Sequence, residues 1–331
     1  MRRCLLDLKA EIVDTHGPSE GVGGVGRNEH AKALNEYADS TYSQSGEDGI
    51  IAEILQRLES AVSLDGWCAE FGAWDGVHLS NTCKLIRERS YSAVLIEGDP
   101  DRVTDLFQNF PQENVFKVCK FVKFDGPDSL DRIFSRTPIP SNFDVLSIDV
   151  DGADYYIFES LRSYRPKVVC IEFNPTIPNA VDFVQAKDFT VNHGSSGRAL
   201  IRLARSKSYA LVASTHCNLF FVDIAHLRAV SAHEACLEDV NEQGNHPQYI
   251  FSGYDGSILS NKEEVNLLWH GLTVPMGKVQ FLPRSLRKHA ADYGTLKQLG
   301  LILYLIFQLP YTGIRRLVDR VRSRISRLLL Q

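Results

Sequence analysis

From Ser45 onward, apolar positions along the chain alternate between helical and strand-like spacing. In SQSGEDGIIAEILQRL, Ile50, Ile51, Ile54, Leu55 and Leu58 recur at helical intervals behind a Ser45/Asp48 pair that resembles a capping box, so a helix is predicted to start here. Beyond it, the short apolar runs WCAEFGA, SAVLIEGD, VFKVCKFVKF, FDVLSIDV and PKVVCIEF are separated by helix-like segments near 79–89, 100–109, 128–135 and 154–162. Five short strands with such crossovers predict a parallel, doubly wound α/β sheet, because parallel neighbours need a connection long enough to return. The helix of RALIRLARSKSY then leads to ALVAST and NLFFVD, separated only by His216 and Cys217. So short a link predicts an antiparallel hairpin closing one edge.

The flanking regions read differently. Residues 15–41 are rich in Gly, Ser and charge, and GVGGVG satisfies GxGxxG through Gly21, Gly23 and Gly26. A phosphate-binding fingerprint needs a strand before it, and THGPSE stands there instead, so this segment reads as a linker. The expected organisation is a flexible or partly helical extension over 1–41, the sheet domain over 42–225, an elaboration over 226–296 with turns at GYDGS and LPRS, and a tail over 297–331. In the tail, LGLILYLIFQL falls short of the roughly 20 residues that span a bilayer, and Pro310 separates it from IRRLVDRVRSRISRLLL. In that last segment Ile314, Leu317, Val318, Val321, Ile325, Leu328 and Leu329 form one stripe with the arginines elsewhere. A basic amphipathic helix suits peripheral contact with an anionic membrane; docking on the parent domain or on a second copy in a homo-oligomer is the alternative.

Composition narrows the class. The 331 residues are 44% hydrophobic and 23% charged, ordinary values for a folded soluble protein. Net charge is −5, but residues 313–331 hold six Arg and one Asp, which leaves −10 on the rest and argues against nucleic acid as a partner. Seven cysteines, odd in number and never spaced as CxxC, argue against a disulfide framework and a zinc ribbon and read as buried thiols in a reducing compartment. The opening MRRCLLDLKAEIVD meets acids too early for a secretory segment, so a cytoplasmic protein is expected.

Candidate chemistry gathers at the strand ends. WCAEFGAWDGVHLSNT closes a strand with Glu70, Gly72 and Gly76 before a helix expected near His78. Glycines there let backbone approach a ligand, and a helix N-terminus offers unpaired N–H groups. The next strand ends in Glu97, where doubly wound folds hold the two hydroxyls of a ribose; a solvated strand-end acid is the plainer alternative. FDVLSIDVDGADYY presents Asp149, Asp151 and Asp154 within six residues. Period two puts Asp149 and Asp151 on one face if the strand continues, and Glu172 and Asn174 of IEFNP share a face in the neighbouring strand. Such oxygen ligands suit Mg²⁺ or Ca²⁺; alternatively Asp149 contacts cofactor or substrate, Asp151 binds turn backbone and Asp154 caps the next helix.

Taken in order, YSQSGEDGII, EFGAWDGVHLSNT, LIEGDP, LSIDVDGAD, VVCIEFNP and NLFFV resemble the S-adenosylmethionine-dependent methyltransferases of the FkbM-like family. The resemblance covers about residues 42–222, more than half the chain. It implies a Rossmann-like class I methyltransferase fold, a seven-stranded sheet with a reversed last strand. It also implies S-adenosyl-L-methionine with its amino-acid end against Glu70, Gly72 and Gly76, its ribose against Glu97, its adenine near Asp125, and Asp149 beside the crevice. The activity implied is O-methylation of a sugar or glycan-like hydroxyl. A divalent cation on Asp149, Glu172 and Asn174 would be similar to catechol-type and TylF-like methyltransferases. Asp149 and His216 are the candidate bases, ahead of His78 and His193. Two departures stand out: Ala73 and Trp74 replace a second close glycine, and GAD replaces GAE at 152–154. A nicotinamide-dependent oxidoreductase is the rival enzyme, disfavoured by the missing GxGxxG after the first strand. A non-catalytic nucleotide- or glycan-binding module is the rival of another class.

Overall fold

The computed structural model describes residues 33–329, so GVGGVG and Cys4 lie outside the described residues. The sheet domain runs α1 (Glu47–Glu59), β1 (Trp67–Phe71), α2 (Cys83–Arg89), β2 (Ser92–Glu97), α3 (Pro100–Asn109), β3 (Val115–Cys119), α4 (Leu130–Phe134), β4 (Val145–Ile148), α5 (Asp154–Ser160), β5 (Val168–Glu172), α6 (Gly197–Ser206), β6 (Tyr209–Ser214) and β7 (Asn218–Asp223). The seven strands form one doubly wound, Rossmann-like sheet in the order β3-β2-β1-β4-β5-β7-β6. All pairs are parallel except those of β7 with β5 and with β6, so the predicted hairpin closes one edge.

Strand alternation builds two cores, one on each face. In β2, Val94 and Ile96 pack with Leu130, Phe134, Ile157, Phe158 and Leu200 from α4, α5 and α6. Ala93 and Leu95 face the other way, toward Ile50, Ile54, Leu58, Val103 and Leu106 from α1 and α3. Because strand order reverses between β1 and β4, connections leave those two strands in opposite directions and open a crevice at their C-terminal ends.

Several local expectations shift. Helix α1 has no Ser45 cap: Gly46 precedes it at φ 102°, and the Asp48 carboxylate instead accepts backbone N–H bonds from Thr41, Tyr42 and Ser43. Strand β3 stops at Cys119 instead of running through Phe124, and α2 starts at Cys83, leaving 72–82 as a loop. Cys119 and Cys236 are exposed, against the expectation of buried thiols.

The rest of the described chain contains the short helices α7 (Leu227–Val230) and α8 (Leu237–Val240), then two hairpins, β8 (Ile250–Ser252) with β9 (Ile258–Ser260) and β10 (Glu264–Leu267) with β11 (Leu272–Pro275). GYDGS makes the turn of the first hairpin. After α9 (Met276–Val279) come α10 (Thr295–Gln308) and α11 (Pro310–Leu329). Among the described residues no helix is long and apolar enough to cross a membrane.

Candidate active site

The site is built on one register row. Phe71 pairs with Ile96 on one side and Ile148 on the other, and Ile148 pairs with Ile171. One step further along each strand stand Gly72, Glu97, Asp149 and Glu172. In a parallel sheet residues of one row point to one face, so these three carboxylates share the face of Leu95 and Cys170, over α1 and α3. Glu97 and Asp149 are two strands apart, about 10 Å at the usual inter-strand spacing. Gly72 separates them: it has φ 78°, and a side chain there would overlap the Asp149 carbonyl oxygen. Its glycine is thus required by the turn after β4. Gly76 is required by the core, where a Cβ would meet Phe110 and Leu106.

Glu97 is half-buried, and its oxygens accept backbone N–H bonds from Trp74 (2.9 Å) and Asp99 (2.8 Å). Each oxygen keeps a second lone pair for a ligand hydroxyl. Trp74 itself takes the left-handed φ of 49° that a glycine would adopt without strain, and the Arg102 guanidinium lies 4.1 Å from its ring centroid. Phe121, 73% exposed, packs against Gly98 next to Glu97.

Glu70 departs from its expected role. Buried at 3% exposure, it accepts from the Ser80 hydroxyl (2.6 Å), the Asn81 N–H (2.7 Å) and the Thr82 hydroxyl (2.8 Å), so it holds the 72–82 loop together. The helix N-terminus expected at His78 is replaced by this loop, and His78 is exposed. Burial pushes the Glu70 carboxyl from 4.5 up to about 7, against the opposing effect of its three donors. A raised carboxyl contributes stability that is fully present below about 4.5 and lost as pH rises through about 7. Relative to Glu70→Gln, wild type is therefore expected to lose on the order of 3 kcal/mol between pH 4.5 and 8. Urea denaturation at several pH values checks this, and parallel curves for the two proteins would show that Glu70 titrates normally.

Across the crevice, one carboxylate oxygen each from Asp149, Asp151 and Glu172 lie within 4.8 Å of one another. Strand geometry does not bring Asp151 there, because β4 ends at Ile148. A turn does: Asp151 adopts φ 53°, and the buried Asp154 carboxylate accepts the Val150 and Gly152 N–H groups, both at 2.9 Å. Burial and then the Asp151 charge raise the Asp149 carboxyl to about 6. Burial and the neighbouring acids raise Glu172 to about 10, and the two carboxyls hydrogen-bond to each other. Glu47, buried at the start of α1 and bonded to Thr215 and Asn218, adds negative charge behind Asp149.

Beside the cluster opens a cavity of about 750 Å³ lined by Asp151, Glu172, Ile177, Phe183, Trp269 and His270, among others. His193 also lines it. His216 does not: its ring contacts Gln243 at 3.0 Å and borders a separate cavity of about 250 Å³. Asn174 reaches the main cavity, but its amide oxygen accepts the Thr176 N–H (2.9 Å) and hydroxyl (2.6 Å), a local turn that occupies the proposed ligand atom. Asp125 is exposed, six residues beyond the end of β3, and borders a different groove with Arg132 and Lys187. Sequence reasoning left Trp269, His270 and Glu47 out of the site. Glu47 had a signal in SQSGED, whereas nothing local marks Trp269 or His270.

No family model and no curated protein matches the sequence. Among solved structures the chain is similar to a SAM-dependent methyltransferase from Aquifex aeolicus, with 11% identity over 57% of this chain and 96% of that one at a TM-score of 0.34. It is similar to an S-adenosylmethionine-dependent methyltransferase from Clostridium acetobutylicum ATCC 824, with 8% identity over 56% of this chain and 93% of that one at a TM-score of 0.34. It is also similar to a pericyclic reaction enzyme, with 12% identity over 51% of this chain at a TM-score of 0.34, and there the match spans 46% of the other chain's length. Likeness at this level carries no argument of its own, and the chemistry rests on the residues of the row.

Proposed function

We propose that the chain is an S-adenosylmethionine-dependent methyltransferase that O-methylates a sugar-type hydroxyl. The observation that carries this reading is the single row that sets Glu97 on one side of the switch point and the Asp149/Glu172 pair on the other, beside a ligand-sized cavity. The residues present fit the cofactor. Glu97 keeps two free acceptor positions for a ribose diol, and the exposed Phe121, packed against the neighbouring Gly98, offers an aromatic surface nearby for adenine, while Arg102 already lies over the Trp74 ring. Asp125 is too far along the chain from β3 to share that row.

S-adenosylmethionine, when bound, supplies a methyl group already activated by its sulfonium, so alignment accounts for much of the rate. The protein must still take the hydroxyl proton. Asp149, with its carboxyl raised to about 6, is poised near neutrality for that task, and Glu172 holds a proton toward it. A divalent cation also fits, on Asp149, Asp151 and Glu172, because three oxygens converge and their mutual repulsion would be relieved. When bound it would hold a vicinal hydroxyl pair and lower a hydroxyl pKa. Asn174 is left out of that set by its own turn.

The cavity lining suits a sugar, since it combines the acids Asp151 and Glu172, which can accept from hydroxyls, with the apolar Ile177, Phe183 and Trp269, against which ring C–H groups can pack. Calorimetric titration with S-adenosylhomocysteine and, separately, NADH tests the reading. Binding of S-adenosylhomocysteine alone is expected. Binding of NADH in its place would make the chain a nicotinamide-dependent oxidoreductase, and binding of neither would leave a non-catalytic module.

A further inference from the structure

Helix α10 is apolar around most of its circumference, and only part of it is covered. Ile302 and Leu305 are buried, while Leu296 and Phe307, 85% and 82% exposed, lie with the exposed Leu303 on a separate face. The helix is braced: the Tyr304 hydroxyl donates to the Phe281 carbonyl at 2.5 Å, and the two rings meet edge to face at 5.7 Å. Helix α11 crosses it closely at Gly313, where a side chain would overlap the Ile306 backbone. The exposed apolar face therefore belongs to a packed helix pair.

Along α11, Ile314, Val318 and Val321 continue that exposure, and at 100° per residue the exposed Arg315 and Arg322 lie together along one side of their stripe. The helix carries six arginines and a single acid, Asp319. A second copy of this chain laid on the same face would bring two sets of arginines together, whereas lipid phosphates would neutralise them. We infer that the α10–α11 pair docks the protein on an anionic lipid surface, its apolar face entering the boundary between headgroups and acyl chains and its arginines meeting the headgroup phosphates.

Flotation of the full chain with phosphatidylcholine vesicles, with or without phosphatidylglycerol, tests this at low and high salt. The expected result is flotation with the anionic vesicles only, weakening as salt screens the arginines. The double variant Arg315→Gln/Arg322→Gln is expected to partition about 25-fold less, roughly fivefold for each arginine. Ile314→Asp/Val318→Asp should lose flotation with its circular dichroism and cofactor affinity unchanged. Flotation indifferent to lipid charge and salt, or unaffected by both variants, would overturn the inference. A wild-type dimer that ignores vesicles and that Ile314→Asp/Val318→Asp dissociates would assign the face to a second copy instead.

Discussion

Replacing Glu97 by alanine is expected to weaken S-adenosylhomocysteine binding by about 100- to 10,000-fold. A carboxylate accepting both hydroxyls of a ribose makes two charge-assisted hydrogen bonds of roughly 1.5–3 kcal/mol each, and alanine removes both. The same carboxylate also holds the Trp74 and Asp99 N–H groups, so part of the loss would come from a loosened 72–82 loop. Glu97→Gln separates the two contributions, because the amide oxygen still accepts one N–H while the charge is gone. An intermediate loss, on the order of tenfold, is expected for it. Calorimetry measures both variants, and unchanged affinity in Glu97→Ala would place the cofactor elsewhere.

Asp149→Asn is expected to lower turnover by about 10²- to 10⁴-fold, the usual range for removing a positioned base, with S-adenosylhomocysteine affinity changed little. Glu172→Gln should also lose turnover, yet stabilise the free protein. Its carboxyl is pushed up to about 10 by burial and by Asp149, so at neutral pH the native state resists a charge that the unfolded chain carries freely. An amide removes that conflict, for a gain on the order of 3 kcal/mol in a urea melt at pH 7, which lies about 2.5 pH units above the ordinary value of 4.5. Full turnover in Asp149→Asn would exclude it as the base. Chelation distinguishes the cation: undiminished activity in excess chelator would leave Asp149 acting alone, whereas loss restored by Mg²⁺ would support the Asp149, Asp151 and Glu172 ligand set.

The strands, their helical crossovers and the closing hairpin were legible along the chain because each rests on local periodicity and short connections. The strand-end positions of Glu97, Asp149 and Glu172 follow from the same local rule, and the parallel register then aligns them in one row. Residues whose surroundings come from distant chain could not be read this way. Glu70 has the spacing of a ligand contact, but three donors from 80–82 fold back on it. Asp151 joins the acid cluster through a left-handed turn tied by Asp154, where an extended strand was expected. Asn174 spends its oxygen on Thr176, and Gln243 draws His216 to another cavity. Trp269 and His270 reach the main cavity from nearly 100 residues beyond Glu172, on a hairpin with no motif of its own. The backbone pattern of this protein is thus set by local preference, which neighbouring residues carry, while the partner of each site side chain is set by packing between segments far apart in the chain.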